Sequence, residues 1–380
     1  MPAATAATPP PFARANADYE GWLVSHTPVV QADLMAKHVE MAEDAFAFYR
    51  ATFFRFAGRW AALPATMTGA PVVTVAGDAH LDNFATWRDA EGRLAWGLND
   101  FDEACFAPFT VDLVRAAASL LIAHRLERFE KKGWPGDDDA LAALLEGYRA
   151  GLDAPCPLVL EEGQDLLRAS AYAGERNPTR FWKKLSALPE LPDAERDEAP
   201  AALLAALPAE TRDIRLARRQ AGLGALGRPR FVALGRLHGS LIAREAKAVV
   251  PPVWPSLHAA DAPADRHADA ARVRLLTHGI RCPDPFLRIG RDWQVRRLAP
   301  FCSKLDLDAW PDDESPAPLF QAMGRELANL HAASPDALDA VRAHLDAKVD
   351  ATALLDAAER VERWNDADLE AWQAARRDHA

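Results

Sequence analysis

The sequence predicts a mixed α+β protein with a helix-rich large lobe and a smaller lobe that contains an antiparallel sheet. Two short apolar runs, at 72–75 and around Leu98, end in turns rich in Gly, Asp and Asn, which is typical of strands. Segments 113–128 and 319–333 have apolar residues at helical spacing. With 380 residues and 49% hydrophobic content, the chain can bury a large core in two lobes.

Composition divides the chain into five segments. Residues 1–20 begin with a Pro- and Ala-rich stretch and are expected to form a flexible tail, and residues 21–190 the first part of the large lobe. Residues 191–211 are acidic, Ala-rich and bounded by prolines, so we expect a linker or insertion. Residues 212–300 are expected to form the small, nucleotide-binding lobe, and residues 301–380 a helical return to the large lobe.

Charge and hydropathy argue against two classes of partner. The formal net charge of −11 disfavours a general nucleic-acid binder, because phosphate backbones require a basic footprint. No apolar stretch reaches the roughly 20 residues that cross a bilayer, and the N-terminal residues do not resemble a signal peptide. We therefore expect a cytoplasmic protein with no nucleic-acid or membrane partner. The oligomeric state cannot be read from the sequence.

The strongest functional signal is a pair of loops that follow the two apolar runs. Asp78 follows the first run, Asn83 comes five residues later, and Asp100 follows the second run. Phosphoryl transfer needs a carboxylate that orients the acceptor hydroxyl, and oxygen ligands that hold Mg²⁺ against the nucleotide phosphates. In this interpretation Asp78 is the catalytic residue, and Asn83 and Asp100 are metal ligands of the hard type that Mg²⁺ prefers.

Motifs around these loops occur in the same order in a bacterial family. Segments 77–84, 99–103 and 108–119 carry the most specific part, and shorter motifs such as Arg244-Glu245-Ala246 extend the likeness. They resemble the family called domain of unknown function 2252 over roughly residues 35 to 335. The resemblance implies no particular activity, because this family has no settled one.

A more distant likeness implies a chemistry. The arrangement Gly-Asp-x-His-x-x-Asn followed by Asp-Phe-Asp is similar to the catalytic and metal-binding loops of the aminoglycoside phosphotransferase and protein-kinase-like superfamily. By position, Asp78 matches the catalytic aspartate, while Asn83 and Asp100 match the metal ligands. Asp102 stands where that superfamily has glycine, and Asp112 resembles the buried aspartate that braces the catalytic loop. The residues expected to support the site are His80, Asp102, Asp112 and Arg115.

Each of these polar residues also has a structural interpretation. An Asp in a Gly-Asp turn commonly bonds local backbone amides, and His80 fits a packed, hydrogen-bonded role as well as an acid–base role. The combined spacing of the carboxylates and the asparagine after two apolar runs favours the phosphotransfer interpretation.

A glycine-rich segment carries Gly222, Gly224 and Gly227 in the pattern Gly-x-Gly-x-x-Gly. A dinucleotide-binding turn would open a helix, whereas here a proline and a strand-like stretch follow, and then a turn and another strand. We therefore predict a glycine-rich hairpin, as in kinases, whose backbone amides approach phosphates because no side chain intervenes.

A cation on the following strand is expected to neutralise the phosphates. Aligned on the family's Lys-Glu-Ala, Arg244 takes the expected lysine position, and Lys247 is the nearby substitute. Side chains alternate along a strand, so the two face opposite sides and one of them is expected to point at the nucleotide.

The order of these motifs differs from that of ordinary kinases, in which the glycine-rich hairpin precedes the catalytic loop. Here the hairpin follows it. The simplest interpretation is a circularly permuted, kinase-like two-lobe architecture, in which helix 319–333 packs beside the catalytic loop. The segment 222–227 is then expected to lie across a cleft from Asp78, Asn83 and Asp100.

The leading functional hypothesis is an ATP- and Mg²⁺-dependent phosphotransferase acting on an unknown small-molecule or protein hydroxyl. Another nucleoside triphosphate, or nucleotidyl transfer, would use the same residue types. Two alternatives stay open. A catalytically silent nucleotide-binding regulator is suggested by Arg244 and Asp102. A metal-dependent phosphoesterase is suggested by Asp78 and His80 after an apolar run, although the further ligands that two metals need have no matching motif downstream.

Overall fold

The computed structural model describes residues 10–128, 133–174, 177–258, 268–305, 307 and 310–377. These residues form a mixed α+β fold with a five-stranded, a three-stranded and a two-stranded sheet, all antiparallel. The predicted mixed α+β class, with antiparallel sheets, is confirmed. In the described part of the chain, no helix is long and apolar enough to span a bilayer.

The described helices range from 4 residues to 27 residues in length. In chain order they are α1 (Phe12–His26), α2 (Gln31–Glu40), α3 (Ala45–Ala51), α4 (Phe53–Arg59), α5 (Ala65–Thr68), α6 (Thr110–Arg125), α7 (Asp137–Asp153), α8 (Asp165–Gly174), α9 (Pro178–Ser186), α10 (Ala201–Ala205), α11 (Trp254–Leu257), α12 (Ala268–His278), α13 (Ala317–His331), α14 (Leu338–Lys348) and α15 (Ala351–Arg377).

The strands fall into two groups along the chain, before α8 and after α10. They are β1 (Val72–Val75), β2 (Phe84–Arg88), β3 (Leu94–Leu98), β4 (Cys105–Pro108), β5 (Leu158–Val159), β6 (Arg212–Arg218), β7 (Arg230–Leu237), β8 (Ser240–Ala248), β9 (Arg288–Ile289) and β10 (Trp293–Leu298).

Helix α6 is the centre of the main hydrophobic core, and nearly all of its residues are buried; we call the elements around this core the large lobe. Asp112 in its first turn and Arg125 in its last turn match the sign of the helix dipole at each end. Helices α7 and α13 pack against each other at Gly147 and Gly324, where a Cβ atom would collide with the backbone of the facing helix. The core that these helices share also contains residues of β1, β3 and α15.

The predicted flexible tail does not extend to residue 20. Residues 1–9 lie outside the described part of the chain, but helix α1 begins at Phe12. The ring of Phe12 is buried against Phe48, with centroids 4.8 Å apart, and Tyr19 stacks on Phe54 at 4.4 Å. Aromatic packing therefore fixes a segment whose Ala- and Pro-rich start suggested a tail.

The five-stranded sheet has the order β6-β7-β8-β10-β9 and lies between residues 212 and 298; we call this sheet, with α9 and α10, the small lobe. On one face, Leu203 of α10 and Leu207 pack with Phe231 and Val295. The predicted linker 191–211 is therefore a packed layer, because its leucines supply one side of the small-lobe core. On the other face, α9 packs over part of the sheet, and the remainder faces the large lobe.

Candidate functional site

The pairing of β1 with β4 brings the first two predicted loops together. Val75 lies opposite Cys105, so the turn after β1, which carries Asp78, lies beside the loop before β4, which carries Asp100. Both loops leave the sheet at the same end, because antiparallel neighbours place the end of one strand beside the start of the other.

The pairing of β2 with β3 positions Asn83. Phe84 lies opposite Leu98, and the backbone N–H of Asn99 donates to the carbonyl of Asn83 at 3.1 Å. The Asn83 amide nitrogen donates to the carbonyl of Asp78 at 2.7 Å. Two strand pairs, each a few residues long, therefore place Asp78, Asn83 and Asp100 around one point.

Asp112 holds the turn that carries Asp78. Its buried carboxylate accepts the backbone N–H groups of Ala76 and Gly77, both at 2.8 Å, and the Nε2–H of His331 at 3.1 Å. The hydroxyl of Tyr148 lies 2.8 Å from Nδ1 of His331. This chain of hydrogen bonds joins the turn to α6, α13 and α7.

Asp78 is paired with Arg115 on one of its oxygens. The fully buried Arg115 donates from Nε to Oδ1 at 2.8 Å, and its guanidinium lies 3.5 Å from the ring centroid of Tyr49. His80 is farther away, with Nε2 at 3.7 Å from Oδ2. Burial raises the pKa of Asp78, although Arg115 lowers it. Burial and the charges of nearby arginines hold the pKa of His80 well below its usual value, so this histidine is neutral.

Lys247 points from β8 into the cleft. Its Nζ donates to both carboxylate oxygens of Asp100, at 3.0 and 3.1 Å, and to Oδ2 of Asp102 at 2.8 Å. Arg228 donates to the same Asp102 oxygen at 2.8 Å. Burial alone would raise the pKa of Asp102, but these two cations keep it below its ordinary value. Oδ1 of Asp102 is buried and has no hydrogen-bond partner among the described residues.

Arg244 does not belong to this group. It lies on the opposite face of β8, where Nε donates to the carbonyl of Ala206 at 3.1 Å and the guanidinium covers the ring of Phe286 at 4.6 Å. The prediction that Arg244 takes the role of the phosphate-binding lysine is therefore wrong. Because side chains alternate along a strand, Lys247 points into the cleft instead.

The glycine-rich segment connects β6 to β7 and approaches the same loops. Gly222 and Gly224 line a cavity of about 70 Å³ together with Asp78, Asn83 and Asp100. Positive φ at Gly222 (77°) precedes a single 3-10 turn, Leu223–Ala225, that packs on the large-lobe core. The segment is thus anchored on the large lobe as well as joined to the small sheet.

Gly227 does not line the cleft. It packs against Leu34 of α2, and its carbonyl accepts the N–H of Val30 at 2.8 Å. Its positive φ of 97° is a conformation that a residue with a side chain rarely adopts. Gly227, the third glycine of the motif, therefore contacts α2 and the residue before it, and it does not belong to the candidate site.

A larger cavity of about 700 Å³ opens beside these residues and is lined by both lobes. One wall is a group that we call the Glu245 cluster. Arg219, Arg230 and Arg296 all bind the carboxylate of the buried Glu245, with Arg230 at 2.7 Å and Arg296 at 3.0 Å. Burial opposes ionisation of Glu245, but the three arginines outweigh it and hold its pKa well below the usual value.

A second wall of this cavity is a group that we call the Asp82 cluster. Arg50, Arg128 and Lys304 bind the carboxylate of Asp82 at 3.0, 3.2 and 2.6 Å. Burial opposes ionisation of Asp82 as well, but the three cations hold its pKa below the usual value. The cavity is also lined by Asn83 and Asp100, so the two basic walls flank the predicted metal ligands.

Part of the Glu245 cluster is local in sequence, whereas the Asp82 cluster is not. The arginines that flank the glycine segment divide by location: Arg219 and Arg230 join Glu245, whereas Arg215 and Arg218 bind carbonyls or acids at the rim of the small lobe. Arg296 lies directly opposite Glu245 in the register of β10 and β8, a pairing that only the structure shows. The members of the Asp82 cluster come from three distant segments and leave no local pattern.

The candidate site holds few side chains suited to a metal ion. No group of three or more His, Cys, Asp and Glu side chains placed to hold a metal ion occurs within the described ranges. The oxygens nearest to such a role are the carboxylates of Asp100 and Asp102 and the amide of Asn83, which line the small cavity together.

The sequence matches the family described as "uncharacterized protein conserved in bacteria", domain of unknown function 2252 (DUF2252), over residues 30–166 and 176–375. The match covers most of the chain, so the protein belongs to this family. No curated protein and no solved structure matches it significantly.

Proposed function

We propose that this DUF2252 protein is a phosphotransferase that uses ATP or another nucleoside triphosphate with Mg²⁺ and acts on the hydroxyl of a small molecule or a protein. One observation carries the proposal. Lys247 of β8 and the glycine-rich segment between β6 and β7 meet Asp78, Asn83 and Asp100 of the large lobe at a single cleft. These parts correspond in kind to those that phosphoryl transfer requires.

The small lobe supplies positive charge for the phosphates. In the Glu245 cluster three guanidinium groups surround one carboxylate, so two positive charges are left in excess beside the large cavity. Arginine forks match the geometry of phosphate oxygens and hold them by charge-assisted hydrogen bonds. Together with Lys247, this cluster is the proposed binding site of the triphosphate.

The oxygen donors beside Lys247 fit Mg²⁺, which favours hard ligands and keeps several waters. Asp100 and Asn83 are the proposed ligands, and the unpartnered Oδ1 of Asp102 is a buried acceptor that lacks a cation or a donor. A bound Mg²⁺ would neutralise charge on the transferred phosphoryl group. Without it, Lys247 neutralises Asp100 and Asp102 and keeps the two carboxylates together.

Asp78 is the proposed group that orients the acceptor hydroxyl. Arg115 holds Oδ1, which fixes the carboxylate and leaves Oδ2 towards the small cavity, where His80 is 3.7 Å away. Burial raises the pKa of Asp78, which favours uptake of a proton from the hydroxyl. Positioning and electrostatics supply most of the rate enhancement in this type of reaction.

The chain order supports the interpretation of a circularly permuted, kinase-like architecture. The small sheet follows the catalytic loop in sequence, yet its Lys247 reaches Asp100. Helix α13 packs against β1, and Ser334 just after it binds the backbone N–H of Thr74 at 2.9 Å. Helix α13 thus lies beside the strand that leads to Asp78, where the permuted architecture requires it.

A thermal-shift experiment tests nucleotide binding. ATP with Mg²⁺ is expected to raise the melting temperature, because a ligand that binds only the folded state stabilises it. Asp100→Ala is expected to remove the Mg²⁺-dependent part of this rise. The same substitution at Asp339, a fully exposed residue of α14 that lines neither cavity, is the control. No shift with ATP, GTP or ADP at millimolar concentration would reject the assignment.

A catalytically silent nucleotide-binding regulator is the second candidate. Two observations favour it: Asp78 is ion-paired with Arg115, and Asp102, in the position where kinases have glycine, is fixed by Lys247 and Arg228. Such a protein would bind ATP and Mg²⁺ in the thermal-shift experiment but would show no Asp78-dependent turnover. The turnover measurement therefore separates the two candidates.

A further inference from the structure

The Asp82 cluster is a basic wall that the proposed nucleotide contacts do not use. Arg50 comes from α3, Arg128 follows α6, and Lys304 follows β10. All three reach Asp82 within 3.2 Å. Three segments that are distant in sequence thus converge on one carboxylate at the wall of the large cavity.

The charge of this cluster exceeds what a structural ion pair needs. One carboxylate balances one cation, so two positive charges remain. The side chains of Arg128 and Lys304 are 35% and 45% exposed, whereas that of Asp82 is 9% exposed. Partial burial and the neighbouring Arg50 lower the pKa of Lys304 to about 8, as expected where positive charge is incompletely balanced.

Acidic residues at the rim of the cavity do not remove this excess. Glu40, Glu43 and Asp44 line the same cavity, but none forms an ion pair with the cluster in the described structure. Asp44 instead caps α3 by accepting the N–H of Ala47 at 2.7 Å. The donors of Arg128 and Lys304 that do not bind Asp82 therefore remain available to an anion.

The position of the cluster relates it to the reaction centre. Asp82 directly precedes Asn83, and Arg50 lines both the large cavity and the small cavity that contains Asp78. A group bound at this wall lies on the large-lobe side, facing the Glu245 cluster across Asn83 and Asp100. Because Arg50 and Asn83 line both cavities, a molecule held at this wall by one end can extend its other end towards Asp78.

We propose that the Asp82 cluster binds a phosphate group of the acceptor, so that the acceptor is a phosphorylated small molecule. Two guanidinium forks and an ammonium group suit a phosphate dianion, whose charge equals the excess on the cluster. The identification of this ligand as the acceptor rests on the proposed phosphotransferase function. The binding of a phosphate group at the cluster is independent of that function.

Inorganic phosphate is the probe for a thermal-shift titration at constant ionic strength, with chloride as the reference anion. The wild-type protein is expected to show a saturable rise in melting temperature. Arg128→Gln and Lys304→Gln are each expected to weaken the apparent affinity about tenfold, because each removes a charge-assisted contact. Arg149→Gln is the matched control, since Arg149 is 39% exposed and lies outside the cavity.

Arg296→Gln, on the opposite wall, distinguishes the two clusters. Phosphate binding that is weakened by Arg296→Gln but unchanged by Arg128→Gln and Lys304→Gln would place the anion in the Glu245 cluster and overturn the proposal. No saturable effect of phosphate on the wild-type protein would overturn it as well. If phosphate binds as expected and ATP does not, the subsite stands and the proposed function fails.

Asp82→Asn is expected to increase the effect of phosphate, in contrast to Arg128→Gln and Lys304→Gln. This substitution leaves the three cations without their carboxylate, so the free protein is expected to melt at a lower temperature and phosphate to produce a larger rise than in the wild type. A smaller rise would mean that Asp82 itself is needed for binding, and would contradict an anion site.

Discussion

Nε of Arg115 lies 2.8 Å from Oδ1 of Asp78, and no other carboxylate in the described part of the chain pairs with this buried guanidinium. The pair has two consequences. It fixes the carboxylate in one orientation, and it stabilises the ionised form against the burial that raises the pKa of Asp78. A phosphotransferase would use the fixed carboxylate to orient the acceptor, whereas in a silent binding protein the same pair would only stabilise the fold.

Replacement of Asp78 by Asn tests whether the protein is a phosphotransferase or a silent binding protein. Asn keeps the size of the side chain but cannot accept a proton, so slow ATP turnover or autophosphorylation is expected to fall by roughly a hundredfold or more. Nucleotide affinity is expected to remain within about twofold, because Asp78 is not a proposed phosphate contact. Equal turnover in variant and wild type would locate the chemistry elsewhere.

Lys247 and Arg244 provide a matched pair of buried cations on the same strand. Lys247→Met is expected to weaken ATP binding about tenfold or more, because it removes a charge-assisted contact in the cleft. Arg244→Met alters the opposite face and is expected to leave the affinity unchanged. Isothermal titration with ATP and Mg²⁺ measures both. A loss confined to Arg244→Met would show that the orientation of β8 has been misassigned.

The turn before Asp78 depends on Gly77. Its φ of 84° is unfavourable for other residues, and an added Cβ would collide with the carbonyl of Glu103. Gly77→Ala is therefore expected to lower the free energy of unfolding by about 3 kcal/mol, combining backbone strain with overpacking.

Gly92→Ala is the control for Gly77→Ala, since Gly92 has a φ of 79° but open space around its Cβ position. Its expected cost is about 1 kcal/mol, from backbone strain alone. Urea unfolding measures both changes. Similar costs in the two variants would contradict the close approach of Gly77 to the Asp100 loop.

Glu326 on α13 is expected to make stability depend on pH. Its carboxyl accepts the N–H of Leu98, and burial raises its pKa from 4.5 to about 7. The folded state therefore keeps a proton that the unfolded state loses, and the free energy of unfolding falls as the pH rises from about 4.5 to about 7.

Glu326→Gln is expected to flatten this dependence, because the amide cannot ionise. Denaturant unfolding between pH 4.5 and 8 measures the effect, with the exposed Glu146→Gln as the control. Part of the slope remains in the variant, because burial also raises the pKa of Glu103 and Glu362 to about 7. An unchanged slope would mean that Glu326 is ionised in the folded protein.

Much of the architecture is local enough to be predicted from sequence. The runs that lead to Asp78 and Asp100 form strands, and the helix expected at 319–333 is α13, Ala317–His331. The glycine-rich segment connects two antiparallel strands, as expected from the proline and the apolar stretch after it. Periodicity and turn chemistry suffice for these elements because their causes lie within a few residues.

The choice between Arg244 and Lys247 needed information of another kind. Alternation predicts that they face opposite sides, but the face that meets the large lobe is set by the packing of α9 and α10 on the sheet. Likewise, the contacts of Asp82 with Arg50 and Lys304 join residues far apart in the chain. Such contacts follow from the tertiary fold and have no signature in spacing.

The bond between His331 and Asp112 has a consequence for synthesis of the chain. Asp112 holds the Asp78 turn, and its buried partner His331 is translated more than half a chain length later. Until that histidine leaves the ribosome, Asp112 lacks one of its hydrogen-bond donors. The turn that carries Asp78 therefore acquires its full set of hydrogen bonds only after the segment that contains His331 has been synthesised and folded.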